Sequence, residues 1–128
     1  MSPTVAFLIC GYLATVAIET PVLCVGMDRQ IPVPLRLQAG LLLTALTYPV
    51  VVILLPFLMA GVFSRPVYLL VAEVFAPAVE ILFFRFLTAR RLTAAFDRND
   101  VVIIVANLLS FTAGHFLLAQ PLASLAGY

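Results

Sequence analysis

Long apolar stretches separated by short polar ones dominate the chain. A helix needs about 20 mainly apolar residues to cross the roughly 30 Å hydrocarbon core of a bilayer. Four runs reach that length, over residues 3–27, 35–62, 67–88 and 101–122. The segments between them, 28–34, 63–66 and 89–100, leave little chain for a water-soluble domain. The pattern predicts an all-α, polytopic membrane protein, with one four-helix bundle over 1–128 and Asn99 or Asp100 as N-cap of the fourth helix.

Composition supports the membrane assignment and excludes several other classes. Of 128 residues, 64% are hydrophobic and 10% are charged, whereas soluble domains are about 45–50% apolar. The seven basic residues are all arginines scattered along the chain, and the two cysteines are too few for a disulfide scaffold. The expected partners are therefore the lipid bilayer and either other membrane-protein subunits or further copies of this chain, and not nucleic acid.

Arginine is unevenly divided between the two ends of the predicted helices. An even number of crossings puts both termini on one side and segments 28–34 and 89–100 on the other. Arg65 alone lies on the terminal side, and the opposite end holds Arg29, Arg36, Arg90, Arg91 and Arg98. Because basic residues favour the cytoplasmic side, both termini are predicted to be non-cytoplasmic, in a bacterial inner membrane or its equivalent.

Each predicted helix has one polar, small-residue stripe when residues are placed at about 100° intervals. The stripes consist of Tyr12, Thr15 and Glu19; Gly40, Thr44 and Thr47; Glu73, Ala76, Pro77 and Glu80; and Asn107, Ser110 and Gly114. Polar side chains within hydrocarbon have to face protein, water or each other. The stripes therefore predict the faces through which the helices meet.

Depth along the helices divides the polar residues into two predicted layers. At about 1.5 Å per residue, the lower layer lies about 12 Å from the cytoplasmic end and the upper layer near 20 Å. The lower layer contains Glu19, Thr44, Glu80 and Asn107, and the upper layer contains Glu73, His115 and Tyr48. These seven residues form the candidate binding or proton site.

Insertion of the third predicted helix into a membrane without other helices is energetically unfavourable. Its two ionised glutamates, Glu73 and Glu80, would cost about 6 kcal/mol against about 5 kcal/mol recovered from its apolar residues. The carboxyl groups must therefore be protonated, paired, or placed against other helices or water. They form either a proton or cation site or neutral acids that hydrogen-bond the helices together.

Arg85 follows Glu80 by five residues and points about 140° away from it on an ideal helix. Direct pairing with Glu80 is therefore not expected. The side chain is predicted to extend to the cytoplasmic headgroups, with a contact to Glu19 as the alternative.

Four prolines interrupt the predicted helices, at Pro21, Pro49, Pro56 and Pro77. Each removes the N–H that would bond to the carbonyl four residues earlier, and for Pro77 that carbonyl belongs to Glu73. Membrane helices tolerate such breaks when neighbours satisfy the freed groups. The alternative is a hinge or an ion-coordinating break of the kind that transporters use.

His115 is the only histidine, and three roles remain open for it: a hydrogen-bonded packing residue, a proton-transfer group, or a cofactor ligand. Metal sites usually need three or four protein ligands, and only Glu73 shares its predicted depth. The sequence predicts no metal site and leaves any cofactor unidentified, with His115 as the one candidate ligand.

An order of polar residues recurs between the two halves. Glu19 is followed by Thr44 and Thr47 as Glu80 is followed by Asn107 and Ser110. A parallel duplication would produce this order. Chance similarity between apolar helices would produce it as well.

Two functions compete at the level of sequence. The chain contains no phosphate-binding glycine loop, nucleophile elbow, zinc-protease helix or Cys/His cluster, so an enzyme is not favoured. The first interpretation is a non-catalytic structural or accessory subunit of a larger membrane complex, because the third helix needs partners. The alternative is a small oligomeric proton- or cation-coupled transporter or channel that uses the intramembrane glutamates. A catalytic role of Glu73 and His115 is a third hypothesis.

Overall fold

The computed structural model describes the backbone of residues 3–125 and the side chains of residues 4–116. The chain is 81% helical, and the described part contains no strand. The elements are α1 Pro3–Gly26, α2 Val33–Pro49, a π-helical segment Val50–Leu54, α3 Leu55–Met59, α4 Arg65–Leu87 and α5 Arg98–Leu125. The all-α prediction is confirmed.

The described part of the chain contains four helical spans that are long and apolar enough to cross a membrane, as predicted. The second span is composite, because α2, the π-helical segment and α3 continue one another over Val33–Met59. It starts and ends earlier than the predicted 35–62. Its end coincides with a turn in which Gly61 has a φ of +76°, a conformation that glycine adopts without steric cost.

The helices contact one another in a ring. Helix α1 packs against α2 and α5, and α4 packs against the same two helices. At the end of the ring that carries loops 27–32 and 88–97, large side chains fill the interior. This buried core consists of Leu23, Met27, Ala39, Leu43, Phe84, Ile103 and Ala106. Many large apolar side chains point outward instead, as expected of helices surrounded by lipid.

Polar side chains close the loop end of α1. The Arg36 guanidinium donates to the carbonyl of Cys24 at 2.7 Å, and that of Arg98 donates to the carbonyl of Gly26 at 2.8 Å. These are carbonyls of the last helical turn, which have no partner within the helix. The N–H of Asp28 donates to Oδ1 of Asn99 at 2.9 Å, so loop 27–32 lies against the first turn of α5.

The predicted N-cap of α5 is wrong, because the helix begins earlier than expected. Asp97 is the cap: its Oδ1 accepts the N–H groups of Asn99 and Asp100 at 2.8 and 3.3 Å. Oδ2 of Asp100 in turn accepts the N–H of Asp97 at 2.9 Å. This reciprocal arrangement satisfies amide groups that the first helical turn leaves free.

Arg85 does not extend to the headgroup region. It is 6% exposed and pairs with Asp100 at 2.5 Å, and it also donates to the carbonyls of Leu92 and Ala94 at 2.9 and 2.8 Å. The prediction that its side chain extends to the headgroups is wrong, because the loop after α4 folds over the guanidinium. Its contact with Glu19, the alternative, does not form.

The π-helical segment and Pro56 together create a contact between spans. The N–H of Leu55 bonds to the carbonyl of Val50, five residues back. In the same register the carbonyl of Val51 faces Pro56, which has no N–H to donate. The hydroxyl of Tyr68 on α4 donates to this carbonyl at 2.8 Å. A neighbouring helix thus satisfies the backbone group that the proline leaves free.

Helices α1 and α2 approach closely at Gly40. A Cβ atom at this position would lie 2.8 Å from Cβ and 3.0 Å from Cα of Thr20. Backbone cannot move away from such a contact as a flexible side chain can. Gly114 on α5 differs, because a Cβ atom there would meet no described atom within 4 Å.

We predict that Gly40→Ala destabilises the protein by about 1–3 kcal/mol, since the added methyl group overpacks the α1–α2 contact. Gly114→Ala is the matched control, and it should be neutral or slightly stabilising because alanine favours helices over glycine by about 1 kcal/mol. Thermal unfolding in mild detergent measures both. Equal unfolding temperatures for the two variants would contradict the close approach.

Candidate functional site

Glu19 is buried where three helices meet. Its side chain is 3% exposed and lies on α1. Oε2 is hydrogen-bonded to the hydroxyl of Thr44 on α2 at 2.7 Å, and Oε1 to that of Ser110 on α5 at 2.5 Å. One carboxyl group therefore links α1 to both of its neighbours.

Glu80 also links its helix to both neighbouring helices, from the opposite side of the ring. It is 2% exposed and lies on α4. Oε1 is hydrogen-bonded to the hydroxyl of Thr47 at 2.6 Å, and Oε2 accepts the Asn107 amide at 2.6 Å. All four spans are thus joined by two glutamates and their four partners. We call these six residues the polar layer.

The first two spans form one helical hairpin and the last two form another. The hydrogen bonds of the polar layer keep the same pattern when these two hairpins are exchanged. Each glutamate bonds one partner of its own hairpin, Thr44 for Glu19 and Asn107 for Glu80. Each also bonds one partner of the other hairpin, Ser110 and Thr47 respectively. The recurring order of residues therefore has a spatial counterpart, while duplication of the chain itself stays a hypothesis.

The hydrogen-bond partners of Glu80 can all be satisfied when its carboxyl group is neutral. The Thr47 hydroxyl has one hydrogen but two oxygens within reach, the Leu43 carbonyl at 3.1 Å and Oε1 of Glu80 at 2.6 Å. Both contacts form if Glu80 is protonated. Its carboxyl O–H then donates a hydrogen bond to the Thr47 oxygen, and the Thr47 hydroxyl donates to the Leu43 carbonyl. The Asn107 amide has two hydrogens, which serve Glu80 and the carbonyl of Ile103 at 3.0 Å. A neutral Glu80 satisfies every group in this set.

The structure brings together the four residues assigned to the lower layer, but they form two groups. Thr44 bonds Glu19 and Asn107 bonds Glu80. Thr47 and Ser110 complete these groups, although the sequence placed them only on the polar stripes. The stripes identified the correct faces, and the depth estimates were too coarse to select these two hydroxyl groups.

Next to the polar layer, towards the chain termini and turn 60–64, the four spans enclose a partly open cavity of about 460 Å³. Small side chains leave this space. They include Ala14 on α1, Ala72 and Ala76 on α4, and Gly114 on α5. Glu19 lines the cavity and Glu80 does not. The cavity therefore ends at one of the two buried acids.

The three residues of the predicted upper layer all line this cavity, but no described hydrogen bond joins them. Tyr48 is half-buried, and its hydroxyl occupies the space beside Gly11. Glu73 is half-buried and has no hydrogen bond or ion pair among the described side chains. His115 is exposed and stacks on Phe111, with ring centroids 6.4 Å apart.

No protein-family model, curated protein or solved structure matches this chain. Among the described residues, no three His, Cys, Asp or Glu side chains come close enough to hold a metal ion. The arrangement combines a satisfied polar layer with a mainly apolar cavity that contains one unpaired carboxyl group. Chemically, it is suited to hold a proton and to bind a small molecule.

We predict that Glu80→Gln leaves stability within about 1 kcal/mol of the wild type, because an amide can donate to Thr47 and accept from Asn107 as a neutral acid does. Glu80→Leu should cost about 1–3 kcal/mol, since one N–H of Asn107 loses its partner. Thermal unfolding in mild detergent compares the variants. Thr112→Val, which alters an exposed hydroxyl bonded only within its own helix, is the control. A glutamine as harmful as the leucine would indicate an ionised Glu80.

Proposed function

We propose that this chain is a small membrane carrier that binds its substrate in the cavity and couples substrate movement to proton transfer at intramembrane carboxyl groups. One observation carries the proposal: residues of all four spans line a cavity that ends at Glu19, a buried acid of the polar layer. Transporters commonly bind substrates and coupling ions near the middle of the membrane.

The polar layer is suited to change its contacts. The hydroxyl groups of Thr44, Thr47 and Ser110 each also lie within reach of a carbonyl of their own helix, at 2.9, 3.1 and 3.0 Å. If a glutamate moves away, these hydroxyl groups keep a hydrogen-bond partner. The cost of separating the helices therefore falls mainly on the carboxyl groups, and a proton gained or lost there would alter it.

Helix irregularities adjoin the cavity. Val51 and Val52 of the π-helical segment line it, and the contact from Tyr68 holds that segment to α4. π-Helical turns within longer helices occur frequently at functional sites. This segment is the part of the second span at which we expect bending.

We further propose a four-helix bundle with both termini outside the cytoplasm. The excess of arginine at the loop end supports this orientation. The contact between Asp28 and Asn99 supports placing segments 28–34 and 89–100 on one side of the bundle. The cavity would then lie in the outer half of the membrane.

The accessory-subunit hypothesis stays open and is an outcome of the same experiments. It was motivated by the need of the third span for partners. Glu80 forms its hydrogen bonds with α2 and α5 of its own chain. The third span therefore does not need another subunit to satisfy Glu80, which weakens the motivation for this hypothesis. Apolar outer surfaces would suit neighbouring subunits, further copies of the chain or lipid equally.

Proton movement in proteoliposomes tests the carrier. Vesicles containing a pH-sensitive dye are challenged separately with benzyltrimethylammonium, benzenesulfonate and benzamide, which differ in charge. We expect at least one probe to produce proton movement above that of protein-free vesicles. Glu19→Gln should reduce it at least about tenfold, because the amide cannot exchange a proton with the cavity.

Asp28→Asn is the matched control, since it makes the same carboxyl-to-amide change in a loop outside the cavity. It should preserve the proton movement. If none of the three probes moves protons, the carrier proposal fails. Co-purification of one stoichiometric membrane protein in mild detergent would then favour the accessory subunit.

Thiol labelling tests the orientation. In a background of Cys10→Ala and Cys24→Ala, which removes both free thiols, single cysteines are introduced by Ser64→Cys and Gln30→Cys at exposed positions of opposite ends. In intact bacterial cells a membrane-impermeant maleimide should label the Ser64→Cys variant, and the Gln30→Cys variant only after lysis. The reverse result would place the termini in the cytoplasm.

A further inference from the structure

We infer that the cavity binds an amphipathic organic cation, such as a substituted ammonium ion, with Glu73 as its counter-ion. This inference rests on the proposed function, because it names the substrate class of the same cavity. The observations that support the cation are the charges, the aromatic groups and the volume of the cavity. None of these depends on how the carrier is coupled to protons.

The charge of the cavity favours a cation. Among the described residues, its lining includes the carboxyl groups of Glu19 and Glu73, no arginine or lysine, and His115 as the one ring that can become positive. Both oxygens of Glu19 are already hydrogen-bonded to hydroxyl groups. Glu73 has no such partner among the described residues, so its carboxylate remains available to a ligand.

A proline also removes the usual helical partner of the Glu73 carbonyl. Pro77 has no N–H to offer to the carbonyl of Glu73, which precedes it by four residues in α4. Neighbouring Ala72 and Ala76 also line the cavity and leave space beside the carboxylate. A positive group at Glu73 would therefore find negative charge without displacing a large side chain.

The rest of the wall suits the apolar part of such a ligand. Aromatic rings of Phe7, Tyr48, Tyr68 and Phe111 line the cavity together with aliphatic side chains. Cations are attracted to the faces of aromatic rings. A volume of about 460 Å³ also lies within the usual range for small organic ligands. A bare metal ion would find too few ligands, since no described group of three candidate metal-binding side chains exists.

Binding to the purified chain in mild detergent tests the inference by calorimetric titration. Benzyltrimethylammonium should bind saturably, and benzenesulfonate and benzamide should neither bind nor compete. Glu73→Gln should weaken binding of the cation by about tenfold or more, equivalent to about 1.4 kcal/mol. Glu73→Asp retains the charge and should retain part of the affinity. Asp28→Asn should bind as the wild type does.

A second variant keeps the test informative if Glu73→Gln is unstable. Gly114→Phe fills open space in the cavity without altering any charge, and it should abolish cation binding. Cation binding unchanged by Glu73→Gln, or saturable binding of benzenesulfonate or benzamide, would overturn the cation assignment. If one of those two probes also drives Glu19-dependent proton movement, the carrier survives and only the substrate class is wrong. Absence of proton movement with all three probes overturns the carrier itself.

Discussion

Two carboxyl groups buried among apolar helices impose the main constraint on this structure. A polar group without a partner in hydrocarbon costs several kcal/mol, so Glu19 and Glu80 fix which faces of the neighbouring helices can meet. Each finds one partner on α2 and one on α5. Since these partners are three residues apart on each helix, rotating or sliding α2 or α5 would break contacts with both acids. The polar layer thus specifies packing that apolar contacts between lipid-exposed helices would leave undefined.

On either side of the polar layer the helices are packed differently. Towards the loops, large side chains such as Leu23 and Phe84 fill the interior, and the buried Arg85–Asp100 pair closes it. Towards the termini, glycine and alanine occupy the inward positions, and the cavity results. The loop half therefore resists separation of the spans, whereas the terminal half has fewer contacts to lose. A change of shape would be expected to open the terminal half first.

The sequence predicted the spans and the polar faces, because length, hydropathy and helical periodicity are local properties. The pairing of Glu19 with Ser110 depends on the rotation and depth of two helices far apart in the chain, which an error of two residues in either helix obscures. Asp97 was missed as a cap because the start of α5 was placed too late. Arg85 was assigned to the headgroups because its partners, Asp100 and two loop carbonyls, depend on how residues 88–97 fold back. The π-helical segment has no signal in hydropathy at all.

The three glutamates within the spans differ in whether the protein supplies hydrogen-bond partners for them. Glu19 and Glu80 each form a hydrogen bond to a protein group through both carboxyl oxygens, and a neutral acid accounts for every contact of Glu80. Glu73 lies on the same helix as Glu80, two turns away, but faces open space. If its role were only to join helices, it would be expected to have a partner, as the other two have. The cost of inserting this carboxyl group is not offset by a hydrogen bond or ion pair to another described side chain, and the cation proposed above would neutralise it.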